Sequence, residues 1–246
     1  PRGVDLQQFQ YFPLRDRLPQ KGEPFRIINV GRITPLKGHK DFIRALHWVK
    51  QRGKDFEAWI VGSAPDSKKE YFDEVQNLVT KLGLETRVKF LGNRRDIPEL
   101  LKQAHLLVLS TTTPEAFGRV VAEAGAVGTA VIATEVGGVV DIVRSGIEGT
   151  LVPPHNSERL GDAICEAIDD PQEICRYSEN LEARVRENFY LEQMYEKTLA
   201  VYQETCEEKR ILVIKLGALG DVVLISPSLR ILRNRYPKAH IALLVD

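Results

Sequence analysis

"HLLVLSTTTPEAFGRVVAEAGAVGTAVIAT", residues 105–134, has the clearest secondary-structure pattern in the chain. Two apolar runs, residues 105–110 and 130–134, enclose a loop and a segment of helical character that begins near Phe117 or Gly118. Strands that are apolar at almost every position are typical of a parallel sheet covered on both faces. The stretch therefore predicts a β-α-β unit of such a sheet.

Similar units precede it. Three further runs are predicted to be buried strands: "FRIINVG" (25–31), "EAWIVG" (57–62) and "VKFLG" (88–92). The helix after the first of them carries apolar residues at helical spacing, at Phe42, Ile43, Leu46 and Val49. Alternation of strands and helices predicts an α/β fold, a doubly wound, Rossmann-like parallel sheet. We expect its ligands to bind beyond the carboxyl ends of the strands.

The composition narrows the class of protein. The 246 residues include 34 Lys plus Arg and 34 Asp plus Glu, and this neutral balance argues against a general nucleic-acid binder. The three cysteines are widely separated, so we predict neither a disulfide framework nor a zinc site. The apolar runs are too short to cross a bilayer. We expect a globular protein that acts in the cytoplasm.

The pattern changes after the predicted sheet. Residues 156–206 are helical in character, and the charged stretch "EEKR" at 207–210 leads into a second β-α-β pattern. We predict one domain over residues 1–206 with a C-terminal helical segment. Residues 207–246 are predicted to be the truncated start of a second Rossmann-like domain, because about forty residues are too few for an independent α/β core. We also expect the chain to be part of a longer protein.

Gly118 lies where a helix follows a strand and loop, between the two glutamates Glu115 and Glu123. The first N–H groups of a helix have no internal acceptor, and a glycine there lets an anion approach the backbone. The sequence therefore predicts a phosphate seat. An ordinary turn in which the glycine serves packing is the alternative.

Two other strand-to-helix turns have a related character. "GRITPLKGHKDF" (31–42) places Arg32 and Lys37 after the first strand, and Gly137-Gly138 follows the strand "AVIAT". We predict that the two cations converge on one anion, with a solvated surface as the alternative. Three such turns at one sheet edge indicate a binding crevice.

Four segments together resemble a known family. They are "GVDLQQF" (3–9), "VGRITPLKGHKDFIRAL" (30–46), "PEAFGRVVAEA" (114–124) and "AVIATEVGGVVDIVRSGIEGTLVPP" (130–154). In this order and spacing they resemble the C-terminal, donor-binding half of the retaining GT-B glycosyltransferases of family 4. The resemblance covers residues 1 to about 204. It implies that a nucleotide-diphospho-sugar is the donor and that a preceding N-terminal half binds the acceptor.

The resemblance also implies roles for single residues. Glu115 would contact hydroxyls of the donor sugar and Glu123 the nucleotide ribose, while Arg32 and Lys37 would grip the diphosphate. The residues implied for catalysis are Arg32, Lys37 and Glu115. Those implied for donor binding are Gly31, Gly62, Ser63, Phe117, Gly118, Arg119, Val120 and Glu123. No Asp-x-Asp occurs in the sequence, and we expect neither a metal nor another cofactor.

Asn93 and Arg94, in "GNRRDIP", follow the end of a predicted strand. This position would place them beside the nucleotide base, and a solvated turn is the alternative. The tail "RILVIKLGALGDVVLISPSLRILRNRYPKAHIALLVD" (210–246) resembles the first β-α-β of the family 9, heptosyltransferase-like enzymes. That resemblance implies that Asp221 is a candidate base, and a mere edge element is the alternative.

We therefore expect the donor-binding half of a retaining, metal-independent glycosyltransferase of bacterial lipopolysaccharide or surface-glycan synthesis. Its acceptor would be a glycan or a lipid-linked glycan, and the full-length parent would associate with the inner face of the cytoplasmic membrane. Alone, the chain is expected to be inactive in transfer. A non-catalytic nucleotide-binding or interaction module is one alternative, and a GT-B-like epimerase or phosphorylase is another. No motif for a pyridoxal-phosphate lysine supports a phosphorylase.

Overall fold

The computed structural model describes residues 3–207, 210–215, 226–237 and 239–245. The chain divides into two compact units, Pro1–Leu191 and Glu192–Asp246. This division falls earlier than the boundary predicted after residue 206, because most of the helix Leu191–Glu207 belongs to the second unit.

The first unit contains a six-stranded parallel sheet in the order β3-β2-β1-β4-β5-β6. Its strands are β1 (Phe25–Val30), β2 (Phe56–Val61), β3 (Val88–Gly92), β4 (Leu106–Leu109), β5 (Ala130–Thr134) and β6 (Thr150–Val152). Its helices are α1 (His39–Gln51), α2 (Lys69–Lys81), α3 (Ile97–Gln103), α4 (Arg119–Val127), α5 (Val139–Ile142), α6 (Ser157–Asp169) and α7 (Pro171–Asn188). The prediction of a doubly wound parallel α/β sheet is confirmed.

Both faces of the sheet are covered by helices, which is why its central strands are mostly apolar. One core cluster joins the sheet to α1, α2, α6 and the first part of α7, and the other joins it to α3, α4, α5 and the later part of α7. Every residue of β4 and β5 is buried as a result. The apolar runs that predicted the fold are therefore explained by burial on both sides.

The order of the strands reverses between β1 and β4. β1 pairs with β2 on one side and with β4 on the other. From β1 the chain continues through β2 toward one edge of the sheet, and from β4 it continues through β5 toward the opposite edge. This is the topological switch point of a doubly wound sheet, where the loops after the strands leave a crevice. The predicted turns after β1 and β4 lie at this point.

An N-terminal segment before β1 was not predicted to have structure. It forms a single 3₁₀ turn, Leu14–Arg17. The guanidinium of Arg17 donates hydrogen bonds to the carbonyl oxygens of Lys102 (2.6 Å) and Gly128 (2.5 Å), and also to that of Ala104. Burial lowers the pKa of Arg17 to about 10. This cation thus joins the C-terminal ends of α3 and α4, where helix carbonyls lack internal partners.

The second unit contains most of α8 (Leu191–Glu207), then β7 (Arg210–Lys215), α9 (Ser226–Arg235) and β8 (His240–Val245). β7 and β8 pair in parallel over six residues, from Arg210 with His240 to Lys215 with Val245. The described residues confirm the predicted strands and helix of the tail. Asp221 lies outside the described residues, and its role stays a prediction. Within the described part of the chain, no helix has the length and apolarity needed to cross a membrane.

Candidate functional site

The backbone after β1 is tied to the end of β4 by buried polar groups. The Oγ of Ser110 donates a 2.9 Å hydrogen bond to the carbonyl oxygen of Lys37. The Nδ2 of Asn29 donates to the carbonyl oxygen of Val108 at 2.8 Å and to Ser110 Oγ at 3.3 Å. Asn29 and Ser110 are almost fully buried, so these bonds form away from competing water. These hydrogen bonds hold the Lys37 backbone against the end of β4.

Lys37 and Glu115 form an ion pair across the switch point. The distance from Lys37 Nζ to Glu115 Oε1 is 2.7 Å, and each side chain retains 23% of its exposure. The hydroxyl of Thr111 donates to the other carboxylate oxygen at 3.3 Å. The structure thus brings together two residues that the sequence predicted at one site from positions 78 residues apart.

The loop that carries Glu115 is held by the turn after β5. The N–H of Gly138 donates a 2.7 Å hydrogen bond to the carbonyl oxygen of Glu115. A Cβ on Gly137 would lie 2.3 Å from that oxygen, and the φ of Gly137 is +58°. The predicted short helix, α5, begins directly after this glycine pair. Close packing against the loop accounts for both glycines.

Gly118 is the N-cap of α4, with φ +76°, and the helix begins one residue later at Arg119. No side chain caps this helix. The N–H of Val121 donates a 2.9 Å hydrogen bond to the carbonyl oxygen of Gly118, so the N–H groups of Arg119 and Val120 are the ones that remain for a ligand. Phe117 supports the loop by packing edge-on against Phe189, with 5.8 Å between ring centroids. The start of the helix next to Gly118 is confirmed, and the binding of an anion there stays a prediction.

Glu123 lies one turn further along α4 and is only 7% exposed. Its Oε1 is 2.6 Å from Nε of Arg119, whose side chain is largely exposed. Burial raises the pKa of Glu123 above the ordinary glutamate value, and the pairing with Arg119 partly opposes this. Glu123 is therefore a buried carboxyl group whose ion-pair partner is an exposed arginine, and its predicted contact with a ribose stays a prediction.

Arg32 is exposed and has no hydrogen-bond or ion-pair partner among the residues that the structure describes. Gly31 and Gly62 directly follow β1 and β2. The carbonyl oxygen of Ser63 accepts a 2.9 Å hydrogen bond from the N–H of Ile33, which joins the two loops. These predicted donor-binding residues therefore lie at the same edge as Lys37, on the β2 side of the crevice.

Asn93 and Arg94 lie further from the switch point, in the loop after β3. Both are exposed, and Arg94 Nε donates to Asp96 Oδ1 at 2.8 Å. The structure does not join them to the Lys37–Glu115 pair. Their predicted contact with the base stays a prediction.

Three polar residues that support the site were not predicted from the sequence, namely Asn29, Ser110 and Thr111. Each is a polar residue within or directly after an apolar strand run, and that was the available signal. His39 was also passed over, although it is completely buried at the start of α1. Among the described residues, no cluster of three or more His, Cys, Asp or Glu side chains is arranged to hold a metal ion.

The parallel sheet, its switch point and the helices on both of its faces define a class: a Rossmann-like α/β domain. Residues 12–190 match the family described as "Glycosyl transferases group 1". The chain belongs to this family, and its fold is that of the GT-B glycosyltransferases.

Individual relatives agree with this assignment. A lipopolysaccharide core biosynthesis mannosyltransferase of Rhizobium leguminosarum bv. viciae is 30% identical, over 85% of this chain and 60% of its own length. HepE of Anabaena, solved in complex with UDP-glucose, is 32% identical with a TM-score of 0.75, over 82% of this chain and 56% of that one. An isolated C-terminal domain of a group 1 glycosyl transferase from Francisella tularensis is 27% identical with a TM-score of 0.68, over 77% of this chain and 100% of that one. The chain spans about half the length of the curated relatives it matches.

Proposed function

We propose that this chain is the donor-binding part of a retaining, metal-independent glycosyltransferase that uses a nucleotide-diphospho-sugar. The observation that carries the proposal is the juxtaposition of Lys37 and Glu115 beside the uncapped start of α4, at the switch point. A cation and helix N–H groups suit a diphosphate, and a carboxylate suits sugar hydroxyls. The likeness to HepE, which is described with UDP-glucose, supports the same donor class.

In this proposal the protein itself neutralises the leaving group. Arg32, Lys37 and the first N–H groups of α4 stabilise the negative charge that develops on the departing nucleoside diphosphate. Glu115 orients the sugar through its hydroxyls, and Glu123 accepts hydrogen bonds from the ribose. Fixed donors of this kind act without reorganising during the reaction, and this is why we propose that no metal is required.

The likeness to a lipopolysaccharide mannosyltransferase supports an acceptor from a bacterial surface glycan. We propose that the full-length protein works in the cytoplasm, at the inner face of the membrane where lipid-linked acceptors are available. Transfer also needs an acceptor held against the anomeric carbon, and such positioning supplies on the order of 7–11 kcal/mol in favourable cases. We therefore expect this chain by itself to bind donor and to transfer sugar at a negligible rate.

The test is calorimetric titration of the chain with UDP, GDP and ADP and with UDP-glucose, GDP-mannose and ADP-glucose, in EDTA and again in Mg²⁺. We expect one nucleotide series to bind, with equal affinity in both buffers. Binding of no series would contradict the proposed function, and binding that requires Mg²⁺ would contradict metal independence.

The same titration tests the cation assignment. Arg32→Ala should weaken binding of the nucleoside diphosphate and leave that of the nucleoside unchanged, because Arg32 has no partner within the described structure to lose. Lys21→Ala is the control, since Lys21 is an exposed cation in the turn before β1, away from the crevice. Equal affinities for Arg32→Ala and Lys21→Ala would remove Arg32 from the site.

A further inference from the structure

The ammonium group of Lys37 can pair with either of two anionic groups. In the structure its ammonium group is paired with Glu115 at 2.7 Å, whereas the proposed function gives it the donor diphosphate. Bringing a diphosphate to Lys37 therefore also brings it close to a carboxylate. Like charges at such short range repel strongly, and a site that retains 23% exposure screens them only in part.

The two residues have little freedom to separate. The carbonyl oxygen of Lys37 is held by the hydroxyl of Ser110, and that of Glu115 by the N–H of Gly138. The turn of Gly137 and Gly138 also packs directly on the Glu115 backbone. Since both backbones are anchored, only the ends of the side chains can respond to a ligand, and the carboxylate stays near the anion.

A sugar on the diphosphate changes this balance. Its hydroxyl groups are hydrogen-bond donors, and a carboxylate that accepts them is stabilised while it releases the ammonium group of Lys37 to the phosphates. A free nucleoside diphosphate offers no such donors to Glu115. With the free nucleoside diphosphate, no new hydrogen bond to Glu115 offsets the repulsion between the two anions that share Lys37.

We propose, on the basis of the proposed function, that Glu115 makes the site select the sugar conjugate over the free nucleoside diphosphate by competing for Lys37. The same competition weakens the hold on the nucleoside diphosphate once the sugar has left. Glu115 is thus a specificity-determining residue that favours donor over product.

The experiment compares wild type with Glu115→Gln by calorimetry, using the diphosphate and sugar conjugate of whichever nucleotide binds. Glutamine keeps the size and hydrogen-bonding oxygen of the side chain and removes its charge. We expect the nucleoside diphosphate to bind about tenfold more tightly, equivalent to about 1.4 kcal/mol. The sugar conjugate should not gain affinity, so that its preference over the diphosphate shrinks by about tenfold.

Two further variants separate the mechanism from its alternatives. In a Lys37→Met background, Glu115→Gln should no longer tighten binding of the diphosphate, because there is no ammonium group left to compete for. Glu135→Gln removes the same charge from an exposed residue directly after β5 and should leave the preference unchanged. Thermal unfolding of each variant checks that the fold is retained.

The outcomes are distinct. If wild type binds a nucleotide but Glu115→Gln leaves diphosphate affinity unchanged or lower, the inference is wrong and the proposed function stands. If Glu115→Gln still tightens diphosphate binding in the Lys37→Met background, or if Glu135→Gln tightens it as well, general charge repulsion explains the gain and the inference is wrong. If wild type binds no nucleotide or nucleotide sugar, the proposed function itself fails.

Discussion

At the scale of single residues, the site uses charged groups whose environments differ sharply. Glu123 is buried and has one exposed cation as its ion-pair partner, whereas Glu115 is partly exposed and paired with a lysine from another loop. Burial disfavours the ionised form of a carboxyl group, and a neighbouring cation favours it. Two glutamates of the same helix–loop unit are therefore suited to different contacts.

Glu123 leads to a prediction about pH. An ionised carboxylate accepts hydrogen bonds from ribose hydroxyls, and the raised pKa of Glu123 means that this form is lost at a higher pH than for an ordinary glutamate. We expect nucleoside binding to weaken as the pH falls through the raised pKa of Glu123. Titrations of the nucleoside across the acidic range measure this.

Two variants check the assignment to Glu123. Glu123→Gln should bind the nucleoside more weakly at neutral pH and lose this pH dependence. Arg119→Ala should shift the midpoint of the dependence to higher pH, because the cation that favours the ionised form is gone. An unchanged midpoint in both variants would show that another group titrates.

At the scale of elements, the start of α4 depends on a backbone conformation that favours glycine. Gly118 has φ +76°, and a Cβ there would lie 2.9 Å from Cγ2 of Val139. Gly118→Ala should destabilise the protein by more than the roughly 1–2 kcal/mol of a left-handed residue, and should weaken diphosphate binding by displacing the helix start. Urea unfolding and calorimetry measure the two effects.

Gly22→Ala is the matched control for this prediction. Gly22 has φ +91°, but a Cβ there would have no atom within 4 Å. It should show the conformational cost alone and no change in binding. If the two variants had equal stability and equal affinity, the start of α4 would not depend on Gly118.

A second prediction concerns the ends of α3 and α4. Arg17→Met removes a partly buried cation that donates to helix carbonyls from both elements, and unsatisfied buried acceptors cost about 1–3 kcal/mol each. We expect a loss of unfolding free energy of at least that order in urea. Arg15→Met, two residues earlier, removes an exposed arginine paired with Glu179 and should have little effect. Similar losses in the two variants would contradict the role of Arg17.

At the scale of the whole molecule, two buried histidines link stability to pH. Burial lowers the pKa of His39 to about 4, assisted by Lys37, and lowers that of His105 to about 4, assisted by Arg26 and Arg17. The Nδ1 atom of His105 accepts a 2.9 Å hydrogen bond from the N–H of Arg26, which requires the neutral ring. In the unfolded chain both rings bind protons near pH 6.5.

The sign of the effect follows from proton binding. Between about pH 6.5 and 4 the unfolded state binds more protons, so the folded state loses stability as the pH falls, by up to about 3 kcal/mol for each histidine. Urea unfolding at pH 7 and pH 5 should show a smaller difference for His39→Leu and for His105→Asn than for wild type. His240→Gln changes an exposed histidine and is the control. A pH difference equal to that of wild type in both buried variants would contradict the assignment.

The local features of this protein could be predicted from its amino-acid sequence. The apolar runs and helical spacings predicted the parallel sheet, and Gly118 after the Ser110 strand predicted the start of a helix. These predictions succeeded because burial on both faces and helix termini leave their marks on neighbouring residues. The three-residue β6 was missed because so short a strand carries almost no periodicity.

The partners of the site residues, in contrast, depend on how the strands are arranged in the folded sheet. Lys37 and Glu115 are 78 residues apart, and their ion pair exists because β1 and β4 are neighbours at the switch point. Gly137 serves as a support for the Glu115 loop because β5 lies beside β4. Such contacts depend on the order of strands across the sheet, and a local pattern does not encode that order. The sequence therefore indicated which charged groups belong to the candidate site, and the order of the strands brought Lys37 and Glu115 together as an ion pair.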